Sequence, residues 1–342
     1  MRALRIVEPG RTDLVDLPEP TPGPGEVKVR VARVGLCGTD LSTFRGRNPL
    51  VSYPRIPGHE VSGVVEALGP GAADPLALGT PVFVVPYASC GACPSCRRRR
   101  GNACRANQTL GVQRDGAAME FVVLPVDKLL TQPGLTLAEM ALVEPLTIGV
   151  HAVDRGRVTA DDTVAVLGAG VVGLGAIASA SRRGARVIAV DVDERKLEVA
   201  GRAGAARLVN SRVVDARAAL GELTRGDGPD VVIEAVGLPE TYRLAVEVVA
   251  YTGRVVYVGY AAADVSFTTK LFVLKELDIL GSRNAAARDL QAVAGMLAEG
   301  AFPRGGLVSH VATLEQAGAA LARWSADPAA VTRIQVDFGL AG

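Results

Sequence analysis

The chain lacks a surplus of charge of either sign: over 342 residues, 37 basic side chains stand against 36 acidic ones, a formal net charge of +1. Nucleic acid and anionic membranes therefore have no electrostatic reason to bind, and the one basic run, residues 97–100, is too short and local to change that. The opening MRALRIVEPG lacks an apolar stretch long enough for a signal peptide, so a cytoplasmic location is expected. Residues 163–181 carry no charge, yet they are studded with glycine and run into Arg182 and Arg183. They read as a buried strand, a turn and the start of a helix rather than a membrane span. Cysteine is scarce and odd in number: there are five, and four of them crowd between Cys90 and Cys104. With no export signal, that clustering points to metal binding rather than a disulfide framework. Internal repeats are absent.

What is present suits two domains, since 342 residues with 49% hydrophobic side chains exceed one ordinary core. The first part is rich in Pro and Gly, with short β-like runs at 27–34, 61–68, 81–85 and 121–124. Turn signals such as Pro22-Gly23-Pro24-Gly25 separate them, which predicts a compact β-barrel-like domain. From Thr163 the texture changes. Candidate strands at 163–167, 185–190, 205–209, 230–235, 254–259 and 277–280 alternate mostly with helical sequence, which predicts a doubly wound parallel sheet. A helical stretch at 289–299 and a last strand at 332–337 return to the first texture and are expected to rejoin the first domain.

Gly168-Ala169-Gly170-Val171-Val172-Gly173 fits the G-x-G-x-x-G pattern, directly after an apolar strand and opening a helix. Such glycines permit the tight turn, the approach of backbone to a pyrophosphate, and close packing of helix on strand. The helix N-terminus then offers N–H groups and a positive dipole end to the phosphates. Asp191 ends the second strand, where a carboxylate accepts from ribose hydroxyls and repels a 2′-phosphate, favouring NAD over NADP. Arg195 nearby is the residue that could turn toward such a phosphate.

Cys90-x2-Cys93-x2-Cys96-x7-Cys104 has the spacing to close a tetrahedral thiolate shell around zinc. A shell of this kind is structural, because it leaves no open position for substrate. The arginines at 97–100 and Arg105 would offset its negative charge. An iron–sulfur cluster or two disulfides are the alternatives.

The fifth cysteine, Cys37, lies in Gly35-Leu36-Cys37-Gly38-Thr39-Asp40; downstream come Gly58-His59-Glu60 and Glu144-Pro145-Leu146. Taken singly, Cys37 reads as a small buried residue and His59 as a surface histidine. Together they suit a catalytic zinc, which takes three protein ligands and keeps a fourth position open. Cys37 and His59 supply two; either Glu60 or Glu144 supplies the third, and the other hydrogen-bonds the metal's water. Of the remaining histidines, His151 follows the Glu-Pro-Leu run and is expected to be structural or to touch cofactor, while His310 has no motif around it. Arg283 and Asn284 follow the last strand of the parallel sheet, where carboxyl ends face the ligand crevice, and Arg283 could pair a substrate carboxylate bidentately.

GLCGTD, PGHE, the cysteine lobe, EPL followed by His151, and GAGVVG occur here in the order that resembles the zinc-containing medium-chain dehydrogenases, over essentially the whole chain. The resemblance is closest to the sorbitol and threonine dehydrogenase branch, which carries a glutamate where other members place a second cysteine ligand; Glu144 matches that position. YPRIPGHE, PYASCGACPSC, GVQRDG and GSRNA look like bacterial dehydrogenases acting on sugar acids such as galactonate or gulonate.

The implied fold is α/β: a GroES-like β-barrel catalytic domain over residues 1–152 and 287–342, carrying the zinc lobe at 88–106, plus a Rossmann domain over 153–286. The implied chemistry is zinc-assisted oxidation of a secondary alcohol on a small polyhydroxylated substrate, with hydride passing to NAD. Two zinc ions per chain, one catalytic and one structural, and a homo-oligomer (tetramer or dimer) are implied too. Thr39 matches the family's Ser/Thr that hydrogen-bonds the substrate hydroxyl and starts a proton relay. The sequence departs from the pattern at Ser42, where relatives often place a relay histidine. L-threonine or an aminocyclitol are rival substrates on the same chemistry. Zinc-free quinone reduction would not need the Cys37/His59 pair, and a non-catalytic NAD-binding protein would not need the full constellation.

Overall fold

In the strand Glu26–Leu36, valines at 27, 29 and 31 are buried while Lys28 and Arg30 face outward, the alternation of a half-buried β-strand. The alternation breaks at a register shift between Val31 and Arg33. Such a bulge re-aims the end of a strand, and beyond it Val34, Gly35 and Leu36 are all buried as the chain runs into Cys37. The computed structural model describes residues 1–72, 76–303, 305–328 and 331–340.

Strands are numbered along the chain. In the first part they are β1 (Arg2–Glu8), β2 (Arg11–Asp16), β3 (Glu26–Leu36), β4 (Glu60–Leu68), β5 (Pro81–Val84), β6 (Tyr87–Ala88), β7 (Gln108–Thr109), β8 (Phe121–Pro125) and β9 (Leu129–Leu130). The middle part holds β10 (Thr163–Leu167), β11 (Arg186–Asp191), β12 (Arg207–Asn210), β13 (Val231–Glu234), β14 (Arg254–Tyr257) and β15 (Asp278–Gly281). The last part returns to the first unit with β16 (His310–Thr313) and β17 (Ile334–Asp337).

In the first unit β3 is long enough to serve two partners along one edge: β8 pairs with Glu26 to Arg30, and β17 with Arg33 to Leu36. The other edge of β3 pairs with β4, followed by β5 and β9. Val27, Val29, Val31, Val61, Val65, Val82, Leu124 and Val336 lie in one core with Leu314, Leu321 and Trp324 of the helix Leu314–Ala326. That helix and the hairpin β1–β2 were not singled out in the sequence.

The second unit is one all-parallel sheet in the order β12-β11-β10-β13-β14-β15. The order reverses direction between β10 and β13, the switch point outside whose carboxyl ends doubly wound sheets bind ligands. Its central strands β10, β11, β13 and β14 are near-continuous apolar runs, as expected where both faces are covered, with Ala165, Leu167, Ile188, Val190, Val232 and Val255 in its core. The uncharged stretch 163–181 is β10, a turn and the helix Val171–Arg182. No helix among the described residues is long and apolar enough to cross a membrane.

The division between units falls at Glu144/Pro145 and Ala285/Ala286, where the sequence pointed to 152/153 and 286/287, and residues 300–307 also go with the second unit. The reason lies in the helix Val143–Arg155: a Cβ on its Gly149 would land 2.0 Å from the carbonyl of Val172, so this helix packs directly on Val171–Arg182.

Candidate functional site

Cys37 is the N-cap of the short helix Gly38–Phe44 and joins a capping box with Asp40. Its Sγ accepts the Thr39 N–H at 3.3 Å, and its own N–H donates to Asp40 Oδ2 at 2.9 Å. The other oxygen of this fully buried carboxylate accepts the Gly58 N–H at 3.0 Å. Asp40 therefore ties the Cys37 turn to the turn that carries His59. The result is a Cys37 Sγ to His59 Nε2 separation of 3.4 Å. Ligand atoms of Cys37, Asp40 and His59 lie within 4.8 Å of one another, as do those of His59, Glu60 and Glu144.

The two glutamates differ in what they meet. Glu60 forms a buried ion pair with Arg333, just before β17. Glu144, in the first turn of its helix, accepts from the hydroxyl of Tyr87 on β6. Gly35 makes room for Glu60, since a Cβ there would sit 1.8 Å from its Oε2. Burial shifts Cys37, Glu144 and Arg333 toward neutrality. The Cys37 thiol is pushed up to about 12, by burial first and by the Asp40 carboxylate second. Glu144 is raised by burial, against the pull of His59 and Tyr87. Arg333 is brought down to about 10 by burial, against the pull of Cys37 and Asp40. A cation between Cys37 and His59 would reverse the first two shifts, and the geometry fits one. Zinc bonds of about 2.3 Å to sulfur and 2.05 Å to nitrogen imply a tetrahedral S–N edge of about 3.6 Å, close to the 3.4 Å found. Among the described residues His59 Nδ1 is buried without a partner.

Of the other residues singled out, Thr39 and Ser42 are half-buried on the same short helix. The Thr39 carbonyl accepts from Thr43 Oγ1 at 2.9 Å, and the Ser42 carbonyl accepts the Arg47 N–H at 2.8 Å. His310 lies on β16 with Nε2 3.0 Å from Arg323 Nη2. His151 is half-buried on the helix Val143–Arg155.

The four-cysteine lobe holds free thiols. Its sulfurs lie 3.5 Å (Cys93–Cys96), 3.8 Å (Cys93–Cys104) and 3.5 Å (Cys90–Cys104) apart. Disulfide bonds are about 2.05 Å long, whereas thiolates on one zinc stand about 3.8 Å apart; the observed edges fit the second arrangement. The Ser95 hydroxyl and backbone N–H groups pull the Cys93 thiol down to about 5. The arginines at 97–100 and Arg105 are exposed, and Arg97 Nη1 donates to the Ala92 carbonyl.

In the second unit, Gly168 closes the turn after β10 with φ +94°, and a Cβ on Gly173 would strike its carbonyl at 1.8 Å. Gly170 caps the helix Val171–Arg182 without any side-chain hydrogen bond, and nothing lies within 4 Å of where its Cβ would be. Val171 and Val172 open this helix, whose N-terminus is thus clear for a phosphate. Asp191, at the end of β11, accepts the Ala169 N–H at 2.7 Å through Oδ2 and the Asp193 N–H at 3.0 Å through Oδ1. It braces the glycine turn, and each oxygen keeps a lone pair for a ribose hydroxyl. Arg195 forks onto Asp193, with contacts of 3.3 and 3.0 Å. Arg283 and Asn284 follow β15 after Ser282, Asn284 in the left-handed region at φ +51°.

Sequence reasoning missed Asp40, Tyr87 and Arg333. Asp40 had a local signal, since an acid three residues after Cys37 is a capping-box spacing. Tyr87 and Arg333 had none, because each meets its partner only through the tertiary fold.

A phosphate-ready glycine turn on a 3-2-1-4-5-6 parallel sheet, in a chain that also gathers thiolate, imidazole and carboxylate donors, defines the dehydrogenase class. Residues 171–299 match the zinc-binding dehydrogenase family and 23–134 the alcohol dehydrogenase GroES-like domain. L-galactonate-5-dehydrogenase of Escherichia coli K12 is 35% identical over 291 residues, 85% of each chain. The structure of RspB, an alcohol dehydrogenase of E. coli CFT073 complexed with NADH, superposes with a TM-score of 0.88 at 29% identity, covering 99% of both chains. A Sinorhizobium meliloti 1021 structure bound to NADP gives 0.90 at 30% identity, covering 98% of both. The chain belongs to the zinc-type medium-chain alcohol dehydrogenase family, and is an oxidoreductase acting on CH–OH donors.

Proposed function

We propose that the chain oxidises a secondary alcohol on a polyol or sugar acid to the ketone, passing hydride to NAD, with zinc held by Cys37, His59 and Glu144. The observation that carries this reading is the 3.4 Å approach of Cys37 Sγ to His59 Nε2, with a Glu144 oxygen within 4.8 Å of a ring nitrogen of His59. The ion pair of Glu60 with Arg333 supports Glu144 rather than Glu60 as the third ligand. Zinc, when bound, supplies a Lewis acid that lowers the pKa of the alcohol; NAD supplies the hydride acceptor. Thr39 holds the substrate hydroxyl and takes its proton, with Ser42 three residues on as the next group outward. The Gly168–Gly173 turn, through Gly170, Val171 and Val172, cradles the pyrophosphate, while Asp191 accepts from the ribose and disfavours a 2′-phosphate. Arg195 is occupied by Asp193, which supports NAD over NADP. Cys90, Cys93, Cys96 and Cys104 hold a second, structural zinc. The likeness to an L-galactonate dehydrogenase supports a polyhydroxylated, small-molecule substrate.

A cytoplasmic homo-oligomer completes the reading. Its support is β15, the last strand of the parallel sheet, with Ile279 exposed on it and Val273 and Leu274 exposed on the preceding helix Lys270–Leu274. An edge of this kind invites pairing with another copy.

The test is NADH formation by zinc-loaded protein over polyols, aldonates, L-threonine and simple alcohols, each with NAD and NADP. Turnover of a polyol or aldonate with NAD supports the proposal; turnover of L-threonine alone overturns it.

A further inference from the structure

A half-buried arginine without a counter-ion among the described residues stands out in the first unit. Arg114 has Nε and Nη2 closed off from solvent with no hydrogen-bond partner among the described residues. Burial alone lowers its pKa, with no neighbouring charge contributing. The carboxylate beside it, Asp115, is taken: its Oδ1 accepts from Arg55 Nη1 at 3.2 Å and from the Ile56 N–H at 3.1 Å. Other sheltered arginines of this unit do meet a carboxylate, Arg33 that of Asp337 and Arg333 that of Glu60. A guanidinium cannot shed its proton near neutral pH, so an enclosed and unanswered one is costly until an anion arrives.

The position of Arg114 connects it to the metal-donor cluster. Its loop is strapped on one side to the turn that carries His59, with the Gly116 N–H donating to the Ile56 carbonyl at 2.8 Å and the Ala117 N–H to the Gly58 carbonyl at 2.9 Å. On the other side the Leu110 N–H donates to the Pro86 carbonyl at 3.1 Å, beside Tyr87, whose hydroxyl meets Glu144. A Cβ on Gly111 would lie 2.7 Å from the Gly58 nitrogen, so the loop has no slack against that turn. Leu110 and Arg114 are bridged across the loop, which fixes the arginine's backbone.

We infer that Arg114 recognises the anionic end of the substrate, meeting the carboxylate of a sugar acid through Nη1, the guanidinium nitrogen that is not closed off. This rests on the sugar-acid reading above and moves the role away from Arg283, which lies in the second unit and is already engaged. The ligand class is a small polyhydroxylated carboxylate; a neutral polyol of equal length has no group for this residue.

The test uses the zinc-loaded full chain and the variants Arg114→Gln and Arg114→Lys, with L-galactonate and the neutral polyol galactitol as probes. The ratio of kcat/KM for L-galactonate to that for galactitol is expected to fall about tenfold or more in Arg114→Gln, mostly through KM, with Arg114→Lys in between. Calorimetric binding of L-galactonate to the NAD-free protein should weaken by the same factor. An unchanged ratio together with unchanged binding overturns the inference, as does an equal loss for both probes. If the wild-type chain turns over neither probe, calorimetry alone decides. L-galactonate binding that Arg114→Gln weakens keeps the role of Arg114 while the oxidation reading fails. Wild-type protein that binds no L-galactonate removes the role.

Discussion

Arg333 and Glu60 form a buried ion pair that joins the approach to the last strand, β17, to the first residue of β4. It supports the proposed choice of Glu144 over Glu60 as the metal ligand. Glu60 follows His59 directly, yet its charge is committed to a guanidinium; Glu144 accepts from the Tyr87 hydroxyl and carries a raised pKa. A cation arriving beside His59 gains more from the carboxylate that no other cation already neutralises.

Replacing the two glutamates should therefore have different consequences. Glu144→Gln should lose one of two bound zinc ions and drop kcat at least about a hundredfold, on the scale of losing a charged metal ligand. Glu60→Gln should keep both zinc ions but destabilise the fold by about 3 kcal/mol, because it strands a buried Arg333. Metal counting together with denaturant unfolding separates the two outcomes; an equal zinc loss in both variants would contradict the assignment.

Zinc affinity at the Cys37 site should rise with pH. In the metal-free protein burial holds the Cys37 thiol at about 12 and raises Glu144, so both groups are favoured in their protonated forms. Zinc must displace the thiol proton throughout the range below that value. Its apparent affinity should therefore climb by up to about tenfold per pH unit for each proton released. Chelator competition at several pH values checks this, and a flat profile would mean that Cys37 is not a ligand. The same shifts set the sign for metal-free stability. Folded-state pKa values above the unfolded ones mean that the folded chain holds extra protons, so stability falls as pH rises from the unfolded toward the folded value of each group.

Asp191 should control cofactor choice. Asp191→Ala removes the acceptor for the Ala169 N–H and the carboxylate that disfavours a 2′-phosphate. The expected outcome is a kcat/KM for NAD lowered by about tenfold and a shift of the NAD-to-NADP ratio toward NADP. Initial rates with both cofactors provide the check; an unchanged ratio would make Asp191 a brace for the turn and nothing more.

Cys104, fully buried in the lobe, should matter for stability rather than chemistry. Cys104→Ser should remove one zinc and lower the melting temperature, while the Cys37 zinc and NADH binding persist. Metal counting and a fluorescence titration with NADH would show it, and lost NADH binding in folded protein would contradict it.

The parts of this account legible in the sequence are those encoded by short spacings. The glycine turn announces itself because strand, glycines and helix follow one another within 163–182, and the strands around it are apolar runs bounded by turns. The four-cysteine lobe is legible for the same reason. The hairpin β1–β2 escaped because only one of its strands is anchored: β1 buries Ala3, Leu4 and Ile6, while β2 has no buried residue. The boundary between units lies inside the helix Val143–Arg155, with no linker to mark it, and only the close packing through Gly149 shows which unit most of that helix joins. Arg333 and Tyr87 were beyond sequence reading, since neither is near its partner along the chain. Arg114 stood in view within GVQRDG, but only the fold shows that its Nε and Nη2 have no hydrogen-bond partner among the described residues.

The most direct test of the central claim is to count zinc and follow NADH formation in the wild-type chain and in Cys37→Ala, using the aldonate or polyol that the wild type oxidises best. The account predicts two zinc ions and turnover for the wild type, and one zinc with at least about a thousandfold less turnover for the variant. A variant that keeps both metals, or that oxidises the substrate as fast without one, would contradict it.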